Sequence, residues 1–181
     1  MKNIVILVSF LIAAASCSTI KVSSDFDSTA GFASYKTYAF TAEALNLPLD
    51  DINKNRVLNA VEAELTAKGF TKVADDPDVL IDINFKAVQQ TTATASTSGT
   101  GGYYGRGYRY GYGGGFSTTS INYDTYTDGT MFIDMIDAQK QQLVWQGRGT
   151  KTLDPDASPQ KREDNIDYAV KQIFTKYPPV L

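Results

Sequence analysis

The 181-residue chain has no histidine, one cysteine and one tryptophan. Lacking histidine, it has no usual general base, no neutral imidazole metal ligand and no side chain that ordinarily titrates near neutral pH. A lone cysteine, Cys17, excludes intramolecular disulfides and cysteine-rich metal sites. Positive charge is short as well. Seventeen Lys and Arg stand against twenty Asp and Glu, for a net charge of -3, so nothing global favours nucleic acid or an anionic membrane surface. The mean hydropathy of -0.23 argues against several membrane spans. No cofactor or metal is expected, and the length suits one domain with a modest core.

What the chain does have is clearest between Tyr126 and Lys151. Met131, Ile133 and Met135 alternate with Thr130, Phe132, Asp134 and Ile136. A polar, turn-like stretch follows from Asp137 to Gln142, and then Leu143, Trp145, Gly147 and Gly149 share one side of a second alternating run. This is the pattern of a hairpin buried on one face. Two strands alone are marginal in water, so the pair must belong to a wider sheet with an apolar cover. Trp145, on the same side as Leu143, is expected in the core near the last helix.

Residues 1–16 have the layout of an export signal: Lys2, an apolar run from Ile4 to Ile12 too short to span a bilayer, then Ala13, Ala14, Ala15 and Ser16. Cys17 follows at once. The arrangement resembles a bacterial lipoprotein signal, with Ala14 where such boxes favour Leu. The resemblance implies acylation of Cys17 and a membrane anchor made of lipid. Ser18 after the cysteine implies the cell outer membrane. The other reading is ordinary cleavage after Ala15, which leaves a free thiol near the start of a soluble protein. Residues 17–181 are expected to form the single mature domain.

Beyond the anchor, Ile20 to Phe26 alternates as a half-buried strand, and Tyr35 to Phe40 reads as a second. Asp50 and Asp51 can cap a helix from about Ile52, with Val57, Leu58, Ala60, Val61 and Leu65 as its apolar stripe and Gly69 as its stop. Its other face, carrying Lys54, Arg56, Asn59, Glu62, Glu64 and Lys68, reads as solvated. Asp78 to Val88 alternates, with Val79, Ile81, Ile83, Phe85 and Ala87 expected inward. Ser158-Pro159 opens a closing helix whose stripe is Ile166, Ala169, Val170, Ile173, Phe174 and Tyr177.

The stretches DFDSTAGFASYKTYAF (25–40) and YTDGTMFIDMIDAQKQQLVWQGRGT (126–150) resemble an envelope lipoprotein family known as domain of unknown function 4136. The resemblance covers most of the mature chain. Its motifs are structural, and it brings no catalytic residues.

Residues 89–116 differ in kind. A Thr/Ala/Ser/Gln run from Gln89 to Ser98 leads into a glycine–tyrosine tract, Gly99 to Phe116, that holds nine of fourteen glycines and five of eleven tyrosines. The whole segment reads as a long loop between strands. Tyr103, Tyr104, Tyr108, Tyr110 and Tyr112, with Arg106 and Arg109, are its candidate partner contacts, suited to stacking on sugar rings, a headgroup layer or another protein. An insertion without a ligand is the competing reading. Two arginines on an acidic chain do not make a nucleic-acid segment, and the tract lacks the spacing of a phosphate-binding loop.

The elements predict an α+β fold: a two-layer sandwich with a mostly antiparallel sheet, two helices on one face and a long Gly/Tyr-rich loop. Functionally they predict a non-enzymatic, lipid-anchored envelope protein, a binding or structural module for another envelope protein or a polysaccharide. The alternative is a hydrolase using Asp82 and Asp134, the only chemistry left without His or a free thiol.

Overall fold

The computed structural model describes residues 20–99 and 117–179. Cys17 lies outside the described residues, as do Tyr103, Tyr104, Arg106, Tyr108, Arg109, Tyr110 and Tyr112. Within them the chain runs β1 (Lys21–Phe26), β2 (Thr37–Phe40), a one-turn α1 (Ala42–Leu45), α2 (Asp51–Ala67), β3 (Thr71–Lys72), β4 (Val79–Gly99), β5 (Ser117–Asp137), β6 (Gln142–Thr152) and α3 (Pro159–Phe174). The strands form one open sheet in the order β1-β6-β5-β4-β2-β3. Three of its five strand pairings are antiparallel, as expected, and β2 makes the sheet mixed by running parallel to both β3 and β4. The chain crosses through α2 between β2 and those two strands, and a crossover returns the chain in the same direction.

The helix ends follow local chemistry. The Asp50 carboxylate accepts the Asn53 amide at 3.0 Å and opens α2. Gly69, at φ 86°, closes it, and the Phe70 amide donates back to the Leu65 carbonyl at 3.0 Å. The Ser158 side chain caps α3, with Pro159 first in the helix. Val57, Val61 and Leu65 of α2 and Val170, Ile173 and Phe174 of α3 are buried with Ile81, Ile83, Ile133 and Met135 of the sheet. The alternation and the two helical stripes therefore meet in one core.

At its centre Trp145 stacks on Phe174, ring centroids 5.8 Å apart, and meets Tyr177 edge-on at 5.3 Å. The Trp145 indole N–H and the Tyr38 hydroxyl are buried with no hydrogen-bond partner among the described residues, so packing alone holds both rings. Gly147 and Gly149 let α3 sit directly on β6. A methyl group at Gly147 would collide with Ile173 and the Trp145 ring, and one at Gly149 would fall 2.9 Å from Ile20 and 3.0 Å from Ile173.

Leu143 does not share the side of Trp145. The ladder shifts by one residue there: Met135 faces Trp145 but Ile136 faces Leu143, which makes Val144 the extra residue. Val144 is buried, and Leu143 is 49% exposed.

The larger departure lies in β4 and β5. Each is 21 residues long, and they pair without a break from Val79↔Asp137 to Gly99↔Ser117. Residues 89–98, expected as loop, are strand. β5 also runs unbroken through Asp128-Gly129 into the first strand of the hairpin. Beyond the ends of β2 and β6 the pair continues alone as a two-stranded arm. Phe85 and Ala87, expected in the core, are exposed at its root because the helical cover stops short of them. From Val88 to Gly99 the arm extends about 40 Å at ~3.4 Å per residue.

Candidate functional site

Four features bear on function. The first is the pair of aspartates singled out by the sequence. Asp82 and Asp134 are directly opposite each other on β4 and β5, on the sheet face away from Trp145. Thr41 Oγ1 and Asn84 Nδ2 each donate to the Asp82 carboxylate at 2.7 Å. Gln146 Nε2 donates to Asp134 at 2.8 Å. Burial pushes the Asp134 carboxyl above the usual carboxylate range, and the Asp82 charge adds to this, against the Gln146 hydrogen bond. Arg148, on the same face, donates to Ser23 Oγ at 2.6 Å and not to a carboxylate. Neither of the two cavities described below is lined by Asp82 or Asp134.

A second carboxylate, which the sequence reading took only as part of a turn, is Asp137. It is the one buried charged residue in the described core. The Lys140 and Gln139 amides donate to one carboxylate oxygen at 2.9 and 3.0 Å, and the Tyr35 hydroxyl donates to the other at 2.9 Å. The Lys140 amide, then the Tyr35 and Gln139 donors, hold the Asp137 carboxyl below its usual range. Burial and this bond push the Tyr35 phenol up to about 12. The arrangement joins the β5–β6 turn to the β1–β2 connection. It is structural, with every donor already local. An aspartate at the start of a short turn was the available signal, but its partner 102 residues away was not visible in the pattern.

Third are two cavities. A groove of about 780 Å³ runs along the arm's root, between the exposed end of the helix-facing sheet surface and the residues after β6; Ile20, Phe85, Tyr126, Met131, Leu153 and Ile166 are among its apolar lining. Of the three cations that line it, Lys86, Lys151 and Arg162, two are engaged: Lys151 donates to Asn165 Oδ1 at 2.6 Å, and Arg162 to the carbonyls of Ala157 and Pro155 at 2.9 and 3.0 Å. A smaller cavity of about 470 Å³ is lined by Phe32, Tyr35, Phe70 and Tyr177, with Lys36 and Lys68 at its rim. Phe32 meets Tyr35 and Tyr177 edge-on, Phe70 packs tilted against Tyr177, and Lys68 Nζ donates to the Tyr177 carbonyl at 2.6 Å.

The fourth feature is the arm. Gln89–Thr97 and Thr119–Tyr126 are exposed throughout. Thr97 and Thr119 hydroxyls hydrogen-bond across the ladder at 3.3 Å. The candidate contacts of the glycine–tyrosine tract lie outside the described residues, between the far ends of these strands in sequence. No group of His, Cys, Asp or Glu suited to holding a metal ion occurs among the described residues. No described helix is long and apolar enough to cross a membrane.

Among solved structures, the chain is similar to a PDZ domain protein from Parabacteroides distasonis, with a TM-score of 0.54 and 16% identity. The match covers 96% of this chain but spans only 40% of that one, and it bears on the fold alone. Two PelC dodecamer structures from Paraburkholderia phytofirmans match with TM-scores of 0.41 and 0.40 and identities of 13% and 11%. Each match covers 87% of this chain, and 95% and 96% of the PelC chains. No curated protein matches. The profile of the family described as a domain of unknown function (DUF4136) matches residues 22–179, nearly the whole chain, and the protein belongs to that family.

Proposed function

We propose that this protein is a non-enzymatic, lipid-anchored module of the bacterial cell envelope, tied to the outer membrane through acylated Cys17 and built to present a contact surface to another envelope component. The body is taken as two layers, with α2 and α3 over one sheet face. The observation that carries the reading is the arm. Two strands leave a well-packed body and run about 40 Å from it, a projection that adds no core, with the glycine–tyrosine tract between them in sequence. Tyr103, Tyr104, Tyr108, Tyr110 and Tyr112 are the side chains most suited to meeting a polysaccharide or an envelope protein there, with Arg106 and Arg109 supplying charge.

Replacing residues 100–116 by a short Asn-Gly turn tests this. The body's circular dichroism and melting temperature should not change, while in-cell crosslinking of the mature protein to envelope components should drop severalfold. An unchanged crosslinking pattern sinks the presentation role. Intact-mass measurement tests the anchor separately, since a mature chain starting at Cys17 with added acyl mass is expected.

A second reading is carboxylate hydrolysis, favoured by the facing Asp82 and Asp134 and the raised Asp134 carboxyl. The two readings predict opposite outcomes for Asp134→Asn. A hydrolase loses its activity. A packed sheet face gains up to about 1 kcal/mol at neutral pH, because like charges directly across strands repel. The sign follows from the raised pKa: the group favours the fold below its unfolded value, and that contribution is lost as pH rises through the folded value.

A further inference from the structure

Among the described residues the arm has two bare edges. β2 pairs with β4 only over Val79–Ile81, and β6 pairs with β5 only as far as Asp128. An isolated two-stranded ribbon is marginal in water. Open edges in soluble proteins are normally kept short, charged, bulged or interrupted by proline, because a clean edge recruits further strands. This one has little of that protection. Gln89–Gly99 contains no charged residue and no proline, Ser117–Thr127 contains Asp124 alone, and the β4–β5 register is unbroken to Gly99↔Ser117. Its composition suits strand pairing, with threonines on both strands and Ile121, Tyr123 and Tyr126 on β5. The face bearing Ala93, Ala95, Ile121 and Tyr123 carries no charge.

We infer that the arm is an assembly element through which copies of this chain pair edge to edge, β4 of one against β5 of the next, in a closed ring with all arms pointing the same way. The occupant follows from counting edges. One foreign strand covers one edge and presents a new one. A second copy brings both kinds of edge, and a rotationally repeated set that closes leaves none. Direction follows from polarity. β4 and β5 are antiparallel, so arms pointing the same way place β4 beside the next copy's β5 in the ladder already present within each arm. Arms pointing oppositely would join β4 to β4 about a two-fold axis and leave both β5 edges bare.

The start of the body fits the first arrangement. Lys21 is level with Thr150, Thr130 and Lys86 across the sheet, so the chain enters at the arm's root. Copies held to one surface by their starts can bring their arms side by side and pointing the same way. The inference deepens the envelope-module reading but does not need the lipid, which intact mass tests independently.

The test uses the full chain in a Cys17→Ala background. Asn122→Cys protein is mixed in turn with Thr92→Cys, Thr94→Cys and Ser96→Cys proteins, whose positions share one face of the arm, and oxidised mildly. Mixed disulfide dimers should exceed the homodimers severalfold for at least one of the three β4 positions. Native mass spectrometry of the chain without added thiols should show three or more copies. Replacing residues 89–127 by an Asn-Gly turn should abolish that species while leaving the body's circular dichroism intact. A chain that is monomeric at its highest soluble concentration overturns the inference. So does an oligomer that survives loss of the arm, or a dominance of Thr94→Cys homodimers.

Discussion

The body and the arm are made from the same two strands, yet they are held in different ways. In the body, Ile81, Ile83, Ile133 and Met135 are buried in one core with residues of α2 and α3, and β2 and β6 flank the β4–β5 pair. In the arm the ladder continues in register with, among the described residues, no cover on either face and no strand on either edge. Backbone pairing is therefore common to both, and burial belongs to one. The body derives its stability from apolar area removed from water, whereas the arm is tied to it only through a shared ladder.

Four substitutions sharpen that contrast. Trp145→Ala removes the largest fully buried side chain and should destabilise the body by about 3–5 kcal/mol in urea unfolding. Gly147→Ala forces a methyl group onto Ile173 and the Trp145 ring and should cost about 2–3 kcal/mol, read the same way. Tyr35→Phe removes a hydrogen bond to a buried carboxylate and should cost roughly 1.5 kcal/mol, the low end for a charged acceptor, because two backbone amides still hold Asp137. This last effect has a pH signature. Asp137 has a lowered pKa, so its contribution is present above the unfolded carboxylate value and lost as pH falls through the folded one. The Tyr35 phenol is raised to about 12, so its contribution is whole below the ordinary tyrosine value near 10 and lost as pH rises through about 12. The gap between wild type and Tyr35→Phe should therefore be flat through neutrality and narrow at both extremes.

The smallest effect belongs to the arm. Ile121→Ala, at a side chain 54% exposed, should shift body stability by no more than about 0.5 kcal/mol. A loss of several kcal/mol there would mean that the arm is buried in the working protein and would erase the distinction.

The sequence was legible where burial writes a pattern. The β5–β6 hairpin, both long helices and their caps all follow from apolar spacing and from Asp50, Gly69 and Ser158-Pro159. Reading failed where burial is absent. Gln89 to Ser98 has no apolar alternation and was taken as loop, although its threonines favour extended backbone as much as any residue does. Leu143 was misplaced because one bulge residue, Val144, reverses the alternation that follows. The facing of Asp82 and Asp134 was legible as a shared face. Asp137 and its distant tyrosine were not, because tertiary hydrogen bonds leave no periodicity.

One consequence follows from where β1 begins. Cys17 precedes Ile20 by three residues, a reach of about 10 Å even when fully extended. A molecule fastened at that sulfur has its stand-off set by this short leash, while the ribbon rising from the same end of the sheet is about four times longer. Such a ribbon cannot hang clear of the attachment plane. It must lie along that plane or pass into it.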